Sequence, residues 1–191
     1  MIKTVAELSV EKASLVLAKL LRNGARIEVQ KVYPADISAV TAEMNSLDSK
    51  IIGAYIDLKG DMAFKFLFYV EEKDSLLLTD MLLKKPLGTT KDFGVYTYST
   101  VQEIGNILSS AIAGVFNADF QIRVLPTPPS VVHSFAGTVF GEYIAGAMPD
   151  ADEILIIESV FKLAEPGLKC RMYVVPYKGS EKILNYLVSA S

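Results

Sequence analysis

The feature that most constrains this chain is that it is written twice. Residues 51–70, I-I-G-A-Y-I-D-L-K-G-D-M-A-F-K-F-L-F-Y-V, parallel residues 154–174, I-L-I-I-E-S-V-F-K-L-A-E-P-G-L-K-C-R-M-Y-V. Likewise I-E-V-Q-K-V at 27–32 parallels I-R-V-L-P at 122–126. Each longer copy is a pair of strand-like runs rich in β-branched and aromatic residues. Gly60-Asp61 reads as the tight turn of an antiparallel hairpin in the first, and Glu165-Pro166-Gly167 joins the second. A duplication of roughly 95–105 residues is too long for a solenoid repeat. Two copies sharing one sheet predict an α+β fold of pseudo-two-fold symmetry, with a mostly antiparallel sheet and a long helix in each half. One domain over 1–191 is expected, with repeat 1 at about 1–90 and repeat 2 at about 95–191.

Around the hairpins each half reads helix, strand, short segment, hairpin, helix. Residues 4–22 carry Val5, Leu8, Leu15, Leu20 and Leu21 at helical spacings, with Asn23-Gly24 as the stop. Arg26 to Val32 alternates as a strand that Pro34 should end. A short helix is predicted over Ala35–Met44 and another from Glu71 to about Lys84, broken by Lys85-Pro86. Gly88 to Tyr98 is the most loop-like stretch. The second half then repeats the pattern. A helix spans Ser99 to about Asn117, a strand Phe120–Leu125, and an amphipathic helix Ser130 to about Ala147. Strands at Glu153–Leu163 and Leu168–Val175 follow, then a closing helix from Gly179.

Composition removes most function classes. The chain is 51% hydrophobic over 191 residues, enough for a sizeable core. A net charge of −3 without a basic block argues against a nucleic-acid partner. Cys170 is the only cysteine, so no intramolecular disulfide forms and a reducing cytoplasm is the expected compartment. The N-terminus carries early acids and no long apolar run, unlike a signal peptide, and Val131–Met148 is too interrupted for a membrane span. His133 is the only histidine and sits in an apolar stretch, so a packed or capping role is expected and no zinc site can be assembled around it. Cys170 is expected to be a buried hydrophobe. G-x-S-x-G, Walker A and G-x-G-x-x-G patterns are all absent. Asp92-Phe93-Gly94 spells a kinase tripeptide without its companions, and Asp150, Asp152 and Glu153 form an acidic corner expected to be solvated.

What remains is one helix face. Advancing about 100° per residue from Ser99 gathers Val101, Ile104, Leu108, Ala111, Ile112 and Val115 into a broad apolar stripe. Ser99, Glu103 and Asn106 fall on the opposite side, a carboxylate and a carboxamide at i and i+3. Thr100 and Glu103 also spell a capping box, a purely structural way to start a helix. A carboxamide is neither base nor nucleophile, but it donates and accepts hydrogen bonds and so can fix a water. Phosphoryl transfer suits such a helper, because positioning the in-line attacker is most of the work.

The pattern Ser99-x-x-x-Glu103-x-x-Asn106, with Pro129 downstream, resembles the signature of the CheC/CheX/FliY family of chemotaxis phosphatases. The duplication extends the resemblance along the chain, although only the second half carries a full motif. The resemblance implies hydrolysis of the aspartyl phosphate of a CheY-like response regulator. Asn106 would position the water and Glu103 would engage the regulator's phosphate-contacting lysine, with Ser99 and Pro129 framing the site. No cofactor would be bound by this chain, and the Mg²⁺ would come with the phosphorylated partner. The alternative is a non-catalytic module of the same fold that docks a response regulator, a flagellar switch component or a CheD-like protein. A monomer or a homodimer fits either reading. In the first helix, Thr4 and Glu7 take the glutamate and asparagine positions in one register, and Glu7 and Val10 in the other. Neither register presents a carboxamide, so the first half is expected to be structural.

Overall fold

The computed structural model describes residues 2–20, 26–145, 153–162, 168–177 and 180. Its elements are α1 (Ile2–Leu20), β1 (Arg26–Asp36), α2 (Ile37–Ser46), β2 (Lys50–Gly60), β3 (Phe64–Glu71) and α3 (Glu72–Leu82). The second half holds α4 (Val95–Asp119), β4 (Val124–Pro126), β5 (Ser130–Phe135), α5 (Ala136–Phe140), a π-helical turn (Gly141–Ala145), β6 (Glu153–Lys162) and β7 (Leu168–Pro176). The predicted closing helix, the Asn23-Gly24 stop, the Glu165-Pro166-Gly167 connection and Asp150 and Asp152 lie outside the described residues.

Both hairpins belong to one antiparallel sheet of order β1-β6-β7-β3-β2, with β4 and β5 sharing the outer edge of β2. The order is the same read from either edge once the halves are exchanged. Phe68 pairs with Met172 at its centre. Tyr69 and Tyr173, equivalent in the two copies, stack with centroids 5.7 Å apart. Alternation along β2 and β3 builds two cores. Ile52, Ala54, Ile56 and Leu58 with Phe64, Phe66, Phe68 and Val70 face one side, where buried residues of α1, α3 and α4 cover them. Ile51, Leu67 and Tyr69 face the other, under α2 and α5. The duplicated α+β fold expected from the sequence is the one observed.

Several elements differ from their sequence reading. Strand β1 does not end at Pro34 but runs to Asp36, with Pro34 opposite Leu155. It is an edge strand, where a missing N–H can face solvent. The Phe120–Leu125 strand shrinks to Val124–Pro126, because α4 runs on to Asp119 and Gln121 adopts φ 57°. The Ser130–Ala147 helix is a strand first: Ser130–Phe135 pairs with Tyr55–Lys50. Pro128 and Pro129 hold the preceding backbone extended, and the open edge of β2 captures the apolar run that follows. Only Ala136 onward is helical. Finally, α4 begins at Val95 and not at Ser99.

Candidate functional site

The motif helix α4 gains its first turn from the stretch read as loop. Its N-cap is Gly94, without a side-chain cap. Thr100 therefore lies inside the helix, buried, and makes no capping box with Glu103. The apolar stripe behaves as expected: Val101, Ile104, Leu108, Ile112 and Val115 are buried against the sheet. Ser99, Gln102, Glu103 and Asn106 are exposed on the outer side.

Opposite them runs the chain from Pro126 to Pro129. Together the two walls enclose an open groove of about 520 Å³, lined by Ser99, Gln102, Glu103, Asn106, Pro126, Thr127, Pro128 and Pro129. All four motif residues thus meet in one place. The carboxylate of Glu103 and the carboxamide of Asn106 make no side-chain hydrogen bond with any described residue, so both are available to something outside. The Asn106 carbonyl oxygen is engaged, accepting from the Ser109 hydroxyl at 3.2 Å.

The proline wall is held at fixed distance from the helix. Gln102 Nε2 donates to the Pro129 carbonyl at 3.3 Å. At the far end, the Asn117 side chain brackets Val124, donating to its carbonyl at 2.9 Å and accepting from its N–H at 2.8 Å. From the sheet side, the Thr127 N–H donates to the Asp57 carbonyl at 2.8 Å, and the Asp57 N–H donates to Thr127 Oγ1 at 3.1 Å. The Asp57 carboxylate accepts from Lys65 at 2.7 Å and from Tyr177 at 2.9 Å. Burial pushes that carboxyl up, but those two hydrogen bonds and the lysine charge outweigh it and hold it below the usual carboxylate range. Burial together with the same carboxylate pushes the Tyr177 hydroxyl up to about 12.

Gly105 sets the groove's depth. A Cβ there would stand 2.6 Å from the Ala54 Cβ of β2 and 3.8 Å from the Pro129 Cβ. Only a glycine lets this turn of α4 rest so close to the sheet. Gln102, Gly105 and Thr127 went unnoticed in the sequence. Gln102 shares the exposed face with Ser99 and Glu103, and a glycine inside an amphipathic helix signals close packing, but Thr127 carries no local mark.

Other candidates resolve away from chemistry. His133 Nε2 is 2.7 Å from Glu72 Oε2, and its ring stacks on Phe93 at 4.0 Å, the packed role expected of it. Phe93 of the kinase-like tripeptide is that stacking partner. Cys170 is buried, and desolvation pushes its thiol well up. Among the described residues no cluster of three His, Cys, Asp or Glu side chains stands ready to hold a metal, and no helix is long and apolar enough to cross a membrane.

The model of the CheC-like family matches residues 98–133, the stretch from the turn before Ser99 through the groove and into β5. The chain carries a CheC-like segment on a CheC/CheX/FliY-type fold. FliY of Thermotoga maritima superposes with a TM-score of 0.76 at 14% identity, covering 100% of this chain and 96% of its own. The FliM middle domain of H. pylori gives 0.71 at 11% identity, covering 96% and 94%. CheX of Borrelia burgdorferi, solved as a CheX–CheY complex with BeF₃ and Mg²⁺, gives 0.57 at 18% identity, covering 90% and 97%. No curated protein sequence matches the chain. At these identities the superpositions establish the fold, and the CheC-like match falls on the groove.

Proposed function

We propose that this CheC-like chain docks the receiver domain of a phosphorylated CheY-like response regulator and hydrolyses its aspartyl phosphate. The observation that carries the reading is the groove, where a carboxamide and a carboxylate stand exposed on one rigid helix face, one turn apart. Such a face cannot enclose a small molecule, but it can enter another protein's shallow active site. The Asn106 amide accepts from and donates to one water and aims its oxygen at phosphorus, in line with the scissile bond. That oxygen bonds to phosphorus as the P–O bond to the aspartyl carboxylate breaks, leaving a free carboxylate and inorganic phosphate, with the water's proton passing to phosphate and solvent. Glu103 pairs with the regulator's phosphate-contacting lysine and fixes the register of docking. Ser99 and Pro129 bound the groove at the helix and at the loop. The regulator would bring its own Mg²⁺, which would neutralise charge on the phosphoryl oxygens. The solved complex of a similarly folded CheX with CheY supports a CheY-like protein as the partner.

The likeness to the FliM middle domain favours a second reading, a module that binds a regulator, a flagellar component or a CheD-like protein without turnover. Adding the chain to a CheY-like protein labelled with acetyl phosphate and following phosphate release separates the two. Accelerated release abolished by Asn106→Ala supports the phosphatase. Binding without acceleration supports the module.

A further inference from the structure

We propose that residues 83–98, the exit from α3 and the first turn of α4, form a preformed basic and aromatic docking surface for the acidic phosphorylation face of the receiver domain. The inference rests on the reading above and names the residues that would set affinity for that partner. Val95 is 78% exposed, Tyr96 65% and Leu87 56%, and Tyr98 and Leu83 are exposed beside them. Single exposed apolar residues are ordinary, but several within one short stretch that leads into a candidate site point to an interaction surface. Lys84, Lys85 and Lys91 are exposed within the same stretch, against the one acid Asp92, in a chain whose net charge is −3. None of the three lysines forms an ion pair among the described residues. Lys85 Nζ lies 5.7 Å from the Tyr96 ring centroid, so charge and aromatic surface are presented together.

This surface is continuous with the groove. Val95, Ser99, Gln102 and Asn106 follow one another on the outer face of α4, at spacings of four, three and four residues. A partner whose phosphoryl group reaches Asn106 therefore lies over Val95 and Tyr96 as well. The face that surrounds an aspartyl phosphate is anionic, from the phosphoryl oxygens and the carboxylates that hold its metal, and a lysine cluster complements it.

The stretch is also held rigid from beneath. The fully buried Asp80 carboxylate accepts from the Thr89 N–H at 2.8 Å, the Thr90 N–H at 2.8 Å and the Thr90 hydroxyl at 2.6 Å. Phe93 stacks on His133 and meets the Tyr98 ring edge-on at 5.3 Å. Lys84 sits at φ 58°, a conformation that favours glycine, where the chain turns out of α3. A buried anchor, an aromatic stack and a lysine kept in a glycine conformation together hold a stretch whose apolar side chains Leu87, Val95 and Tyr96 stay largely exposed. Preorganisation of that kind lowers the entropic cost of docking.

The test uses the full chain and a CheY-like regulator loaded with beryllofluoride, with affinity measured by calorimetry and turnover on the acetyl-phosphate-labelled form. Val95→Ser with Tyr96→Ser should weaken binding at least tenfold while kcat at saturating regulator stays within twofold. Lys84→Glu with Lys85→Glu should weaken it similarly and remove most of the salt dependence seen for the wild type. Circular dichroism and urea midpoints identify any variant that has lost its fold, and Lys91→Glu, on the exposed loop, gives an independent charge reversal. If these variants bind as the wild type does while Asn106→Ala still abolishes turnover, the docking surface is wrong and the phosphatase reading stands. If the wild type binds without turnover, the phosphatase reading fails and the affinities still decide the surface. A wild type that neither binds nor dephosphorylates a regulator overturns both. Variants that change only self-association, with regulator affinity intact, overturn the proposal by assigning the surface to a second copy of this chain.

Discussion

Gly105→Ala is the most incisive single change, because it adds one carbon where the groove is set. The new Cβ would stand 2.6 Å from the Ala54 Cβ, about 1 Å short of the roughly 3.5 Å at which two carbons rest. Both atoms are fixed to backbone and neither can rotate away. Helix α4 must therefore lift from β2 by about that 1 Å, or the strand must bow. Overpacking of this kind costs about 1–3 kcal/mol, offset by about 1 kcal/mol of improved helix propensity. A net loss of about 1 kcal/mol is expected, read as a lowered urea midpoint at unchanged m-value. The effect on function is larger. Asn106 is the next residue, and a displacement near 1 Å of a positioning group costs on the order of 100-fold in rate. Turnover on the phosphorylated regulator should fall by roughly that factor while the fold survives. Adding Ala54→Gly should restore much of the turnover by vacating the contact. If Gly105→Ala instead gained the full propensity term, with turnover unchanged, the close approach of α4 to β2 would be refuted.

Four further outcomes are expected. Asn106→Ala should abolish phosphatase activity and move stability by no more than about 0.5 kcal/mol in urea unfolding, since the side chain is solvated. Glu103→Ala should raise KM for the regulator more than it lowers kcat, again with stability within about 0.5 kcal/mol, because Glu103 is not part of a helix cap. Asp80→Ala should lower stability by about 2–3 kcal/mol by stranding the Thr89 and Thr90 N–H groups; burial pushes the Asp80 carboxyl up, but hydrogen bonds from Thr90, Thr89 and Gly88 outweigh this and hold it low, as those from Lys65 and Tyr177 do for Asp57. A folded-state pKa below the unfolded value near 3.9 contributes stability that is present above that pH and lost as pH falls through the folded value, so unfolding free energy should decline below about pH 4, less steeply for Asp80→Asn. Lys84→Gly should stabilise the fold by about 1 kcal/mol by relieving the φ 58° backbone, measured as a raised melting temperature, while weakening regulator binding.

The hairpins and the apolar stripe of α4 were legible because each rests on a local rule. Period-two alternation on either side of Gly60-Asp61 makes an antiparallel pair, although the connection is longer than the tight turn expected there, since Leu58 and Phe64 are the last to pair and Gly60 pairs with Val124 instead. Val101, Ile104 and Leu108 share a face on a helix. The misreadings all fall where a long-range partner decides. V-V-H-S-F-A-G-T-V-F satisfies a helical period as well as a strand, and the vacant edge of β2 takes its first residues. Pro34 would stop a central strand, but β1 is at the edge. The first turn of α4 has no side-chain cap to announce it, and Thr100, which looks like one, is needed in the core. Of the groove, Ser99, Glu103 and Asn106 could be placed on one face from helical spacing, while Pro129 was marked only by the resemblance to the CheC/CheX/FliY signature. Thr127 could not be read at all, because its importance comes from Asp57, 70 residues away in the chain.

The same pairings explain why the second half carries a proline wall across from its motif helix while β1 of the first half does not. In β1, Val29 pairs with Ser159 and Lys31 with Glu158, so Gln30 is the residue left over. In the second half, Pro126 pairs with Leu58, Thr127 bonds to Asp57, and Ser130 pairs with Tyr55. With Tyr69 and Tyr173 as equivalents, Ile27 matches Pro126 and not Ile122, which corrects the parallel read between residues 27–32 and 122–126. The slip falls at the same place in both halves, and Pro129 occupies the position of Gln30. The two halves share the irregularity and differ in what they do with it. Ile27-Glu-Val-Gln30 keeps its N–H groups, stays on the β6 ladder and leaves β1 as one strand of 11 residues. Pro126-Thr-Pro-Pro129 lacks the donors to do so, and the chain leaves β2 between β4 and β5 as a wall facing α4. The helices agree with this pairing. The same alignment sets Glu7, which is exposed, at the position of Asn106, and sets the buried Val10 opposite the buried Ser109. Of the two registers open from the sequence, the one that gave Val10 the carboxamide position is therefore ruled out. The first half lacks a carboxamide and also the wall that would stand across from it. Three prolines and a glycine, none of them chemically reactive, together with Asn106 set the half that presents the groove apart from the half that lacks it.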